Sequence, residues 1–100
     1  MPATNIPTSQ LTATDLPPDN AELEDLIRFA YTFDGYQHWG SISRCAEIAN
    51  ARDHGSLEKL RTCLFFEVRR WRQYGDLPDE ETVRYCRSLV AEIRQRLVRP

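Results

Sequence analysis

The chain has a single lysine, Lys59, against twelve arginines, and only four glycines in 100 residues. It has no run of about 18 apolar residues, so no membrane-spanning helix is expected. No basic stretch followed by an apolar one opens it, so no signal peptide is expected and a cytoplasmic location is the default. Cys45, Cys63 and Cys86 stand 18 and 23 residues apart, with no C-x-x-C pair. That spacing excludes a disulfide framework and lends no support to a zinc site, so no metal or cofactor is expected. Phosphate loop, nucleophile elbow, H-E-x-x-H and dinucleotide-binding glycine patterns are all missing. With no catalytic constellation, the expectation is a non-enzymatic protein.

What is present divides into two parts. Residues 1–18, MPATNIPTSQLTATDLPP, are rich in Thr and Pro, poor in large apolar side chains and without a sustained period. They read as a flexible or extended arm whose removal should leave the fold unchanged. Residues 19–100 read as one small helical domain.

Helical spacing recurs four times, and no strand-like alternation competes with it. Asp19 and Glu22 offer a capping pair for a first helix over about 20–33, with Leu23, Leu26, Ile27, Ala30 and Phe33 on one stripe and Gly35 as its stop. A second helix is expected over about 41–52, capped by Ser41 or Ser43 and rich in small residues. Ser56 caps a third over about 56–74, in which Leu57, Leu60, Leu64, Val68 and Trp71 share a face. Asp79, Glu80 and Glu81 open a fourth over about 79–98, with Val83, Cys86, Leu89, Val90, Ile93 and Leu97 aligned. The fold class is all-α, a compact four-helix domain with an N-terminal arm.

Charge is unevenly spread. Residues 19–34 hold five acids and one arginine, a balance of −4, whereas 57–75 hold five bases and two acids, a balance of +3; the whole chain carries −2. Two candidate sites follow. One is the outer face of the third helix, where Phe66, Arg69, Arg70 and Gln73 stand off the main stripe with Arg61 and Arg72 nearby. The other is the connection FDGYQHWG, with Tyr36 and Trp39 as anchors. Arginine and aromatic residues in this mixture are enriched at protein interfaces, where lysine is depleted. The same residues contact phosphates and stack on bases, so nucleic acid is the second partner class. The competing structural reading has the acids Glu22, Glu24 and Asp25 neutralising the basic face, and Tyr36 and Trp39 turned into the core.

A helix-turn-helix reading of residues 45–61 is weakened by its long turn, and Ser56, Leu57, Glu58 and Lys59 offer little to read base edges. An enzyme would need a concave site joining His38 or His54 to Glu67 or a cysteine. The expectation is therefore a protein-binding inhibitor or adaptor that occludes a partner surface. Size and the missing chemistry point to the class of phage or mobile-element inhibitors of host defence, such as anti-CRISPR proteins. The alternatives are a nucleic-acid-binding regulator working through the Arg-rich third helix, and a small enzyme.

Overall fold

Local capping sets most of the helix boundaries. In the computed structural model, which describes residues 5–75 and 77–99, the side chain of Ser41 accepts from the Arg44 N–H, Ser56 from Lys59 and Asp79 from Thr82. These caps satisfy donors that a helix start leaves unpaired. They open α3 (Ile42–Asn50), α4 (Leu57–Tyr74) and α5 (Glu80–Val98). Gly75 closes α4 in the left-handed conformation, φ 69°, which a side chain would disfavour. The other helices are α1 (Leu23–Ala30) and the single-turn α2 (Gly35–Trp39); no strand occurs among the described residues.

The first helix is shorter than its apolar stripe. Its N-cap is Glu22, and Asp19 instead pairs with Arg94 on α5. It stops at Ala30, so Phe33 lies beyond it, and Gly35 starts α2 rather than ending α1. Asp34 caps that turn by accepting from the Gln37 N–H. Gly35 is buried, and a β-carbon there would stand 3.2 Å from the Phe33 ring and 3.4 Å from the Cys45 sulfur.

Helix α4 is the centre of the molecule, packed against α1, α3 and α5. Its stripe of Leu60, Leu64, Val68 and Trp71 meets Leu26 and Phe29 of α1, Ile48 of α3 and Leu89, Val90 and Ile93 of α5 in one core. A second, smaller cluster forms where Phe66 packs on Cys45 and Ala49 of α3, with Tyr36, Trp39 and Ala46 at its edge. The small residues of α3 allow the close approach that gives this aromatic ring its room.

The arm takes the extended of its two expected forms, and its described part is laid against the bundle. Two short 3₁₀ turns, Thr8–Gln10 and Ala13–Asp15, punctuate it, and Leu11 is buried in the main core. Arg61 of α4 reaches under it. Only 1% exposed, its guanidinium donates to the Ile6 carbonyl at 2.7 Å, Thr8 Oγ1 at 2.8 Å and Thr32 Oγ1 at 3.0 Å. The Ile6 N–H donates in turn to the Thr32 carbonyl, and Arg94 donates to the Pro17 carbonyl. For residues 5–18, the free arm expected from composition is instead packed against the bundle. One leucine and a buried guanidinium's need for acceptors outweigh the low apolar content. Residues 1–4 of the arm, and Asp76 and Pro100 of the helical domain, lie outside the described residues.

No helix among the described residues is long and apolar enough to cross a membrane.

Candidate partner-binding surface

The two candidate sites lie on one face. The α1–α2 connection folds back on the middle of α4, so Tyr36 meets Phe65 edge to face, with ring centres 5.6 Å apart. Tyr31, from the end of α1, meets the same ring at 5.4 Å. Phe65 therefore sits between two tyrosines. Each tyrosine carries a guanidinium: Arg69 lies 5.5 Å from the Tyr36 ring centre and Arg72 lies 5.2 Å from that of Tyr31. A guanidinium over an aromatic ring is attracted by the ring's face without using its N–H groups as hydrogen-bond donors to a carboxylate. Arg69, Arg72, Tyr31 and Gln73 line a shallow recess.

The expected anchors separate into distinct roles. Phe66 is not an exposed anchor: at 9% exposure it is buried against α3, with Arg69 and Arg70 lying 5.9 and 5.6 Å from its ring centre. The helical wheel placed it opposite the main stripe, but α3 packs on that opposite side as well. Trp39 is half-buried, and its indole N–H donates to Thr62 Oγ1 at 2.7 Å, tying α2 to α4. Arg70 is exposed but already engaged, with Asn50 Oδ1 at 2.8 Å and Glu67 Oε1 at 3.4 Å. Gln73 is exposed, and Tyr36 and Arg69 are half-buried.

Neutralisation by the acidic first helix is not what the structure contains. Asp25 pairs with Arg28, and neither Arg69 nor Arg72 has a carboxylate within 4 Å among the described residues. The Tyr36 hydroxyl is buried without a hydrogen-bond partner among those residues. Burial pushes its pKa up, against the opposing pull of the neighbouring Arg69 charge.

Sequence reasoning missed Tyr31, and it placed Arg72 beside the Phe66, Arg69, Arg70 and Gln73 face without a partner for it. Tyr31 was legible only as an aromatic one residue past the helix that it caps. Its partnership with Arg72 depends on the crossing of α1 and α4, which no local spacing encodes.

The parts an enzyme would need are also partly gathered. His54 Nε2 lies 2.9 Å from the Tyr85 hydroxyl, and Tyr85 stands beside the Cys63 thiol. Arg52, in the left-handed conformation with φ 49°, stacks on Tyr85 at 4.1 Å. Burial raises the pKa of Cys63, however, and the sulfur contacts the Ile48 and Asp53 carbonyls at 3.8 and 3.6 Å. A protonated, 1% exposed thiol is a poor nucleophile. Glu67, the other candidate, bonds to Arg70. His38 faces Glu58 at 3.7 Å, leaving Asp34 to its capping role. No group of three His, Cys, Asp or Glu side chains suited to a metal ion occurs among the described residues.

The would-be recognition helix of a helix-turn-helix is α4 itself, buried on most of its faces, with Lys59 held by Asp53 at 2.8 Å. Comparison with protein-family models, curated proteins and solved structures finds no significant match to this chain.

Proposed function

We propose that this protein is a non-enzymatic protein-binding module that works by covering a surface of a partner, with the Arg69–Arg72 face of α4 as its contact. The observation that carries this reading is the pair of guanidiniums braced on Tyr36 and Tyr31 with no carboxylate partner among the described residues. Stacking lowers the freedom an arginine loses on binding, and arginine and tyrosine are typical interface anchors. Tyr36, Gln73 and Arg70 surround the pair, whereas Phe66 and Trp39 support it from beneath. An inhibitor or adaptor acting by occlusion suits a chain of this size. The phage or mobile-element inhibitor of host defence, anti-CRISPR-like, is the specific form of the proposal. That specific form rests on size and on the missing catalytic motifs alone.

Nucleic acid is the rival partner, favoured by three arginines within four positions of α4. Two features count against it. A guanidinium already lies over each tyrosine ring and competes with a base for that face. Arg70 is also committed to Asn50 and Glu67. The test is affinity purification from the native host with mass spectrometry, using the natural chain and the R69E/R72E variant. A protein captured by the first and lost from the second supports the reading. Nucleic acid recovered in its place overturns it.

A further inference from the structure

We infer that the partner presents carboxylate side chains to Arg69 and Arg72, so that this face recognises an acidic protein surface rather than phosphate. The inference rests on the protein-binding reading and adds the chemistry of the contact. On α4, residues 69 and 72 stand three apart and therefore neighbour each other on the helix surface. Their guanidiniums lie over two rings that both abut Phe65, which places the two charges on one side of the molecule. Gln73 adds an exposed amide beside them. A planar guanidinium matches a carboxylate edge with two parallel N–H donations, and such pairs are short and directional. Neither Arg69 nor Arg72 has a carboxylate within 4 Å among the described residues, so both keep N–H donors for such a pair.

Charge count separates carboxylate from polyphosphate. Binding to a nucleic acid gains strength with each phosphate neutralised, so two arginines supply little. A local patch of carboxylates on a folded partner meets the two guanidiniums at short range, where the contact geometry governs. Arg70, tied to Asn50 and Glu67, fits a bracing role at the margin of this contact.

The experiment follows the side-chain Nε–Hε resonances of the isotope-labelled full chain at low ionic strength. It adds in turn a glutamate-rich peptide, a DNA duplex and inorganic phosphate. The peptide should move the Arg69 and Arg72 signals saturably and before those of Arg84 and Arg99. The R69E/R72E variant should weaken that binding about tenfold or more. Inorganic phosphate should leave the two signals in place at concentrations where the peptide saturates. Tighter binding of DNA or phosphate through the same two residues overturns the inference. So does a peptide response spread evenly over all arginines. Shifts that depend on protein concentration alone would assign the face to a second copy and overturn it as well. If partner capture depends on Arg69 and Arg72 while the peptide leaves both signals unmoved, the protein-binding reading stands and the carboxylate inference falls.

Discussion

The Arg69 guanidinium lies 5.5 Å from the centre of the Tyr36 ring, joining the middle of α4 to the short α2 turn. The Tyr36 hydroxyl beneath it is buried and has no partner among the described residues. A buried unpartnered hydroxyl costs free energy that its removal restores. Tyr36→Phe should therefore leave the fold at least as stable, with a gain of up to about 1 kcal/mol in urea unfolding. Tyr36→Ala, which removes the ring as well, should destabilise it. A clear loss of stability in Tyr36→Phe would show that the hydroxyl is satisfied in solution.

Phe66 is a test of where the core ends. Because it fills the space against Cys45 and Ala49, Phe66→Ala should cost about 3–5 kcal/mol, comparable to Trp71→Ala. Denaturant unfolding decides it. A variant as stable as the natural chain would return Phe66 to the surface, where the helical wheel had put it.

Arg61 and the arm should behave as one unit. Arg61→Ala leaves the Ile6 carbonyl and the Thr32 hydroxyl short of a donor, and should cost roughly 3 kcal/mol or more. Arg61→Met, which keeps volume and removes the charge, should cost less, because replacing a buried charge by a packed apolar side chain avoids its desolvation. Deleting residues 1–17 should lower the melting temperature by many degrees, since it removes Leu11 together with the Ile6 carbonyl and Thr8 hydroxyl that accept from Arg61. An unchanged melting temperature on deletion would mean that the arm contributes nothing to stability.

Much of the architecture was legible from local signals. Ser41, Ser56 and Gly75 mark boundaries because capping is a matter of a few neighbouring atoms. The stripe from Leu60 to Trp71 marks a buried face because 3.6-residue spacing has one meaning in a helix that packs on one side. What escaped reading was set by tertiary contact. A wheel gives α4 one inner face, whereas all four other helices contact it, so Phe66 and Arg61 are buried on faces that looked free. Composition does not weigh one well-placed leucine or the hydrogen-bonding demand of a guanidinium 53 and 55 residues from its acceptors in the arm. The candidate face itself was half legible. Arg69 and Tyr36 were each singled out, but their meeting depends on how the α1–α2 connection crosses α4.

The cysteines give a pH dependence with a definite sign. Burial pushes the Cys86 thiol up to about 12 from its ordinary value of 9.0, and it raises the pKa of Cys45 and Cys63 too. A thiol whose folded pKa is raised holds its proton in the folded state after the unfolded chain has released it. Its contribution is complete below the unfolded value and is lost as pH rises through the folded one. Stability should accordingly fall between about pH 9 and 12, and Cys86→Ala should flatten that fall. The native thiols should also react slowly with a thiol reagent at neutral pH. Rapid modification of Cys86 in the folded protein would contradict this burial.

The central claim is that Arg69 and Arg72 hold a protein partner, and a paired charge reversal tests it most directly. The R69E/R72E variant is compared with R84E, on an exposed arginine of α5 whose only ion pair among the described residues is the surface contact with Glu80. Both should keep the helical content and melting behaviour of the natural chain, because neither alters a buried contact of the main core. The measurement is the amount of partner protein retained on each immobilised variant from native host extract. The account predicts loss of the partner by R69E/R72E and its full retention by R84E. Equal retention by a folded R69E/R72E variant would contradict it.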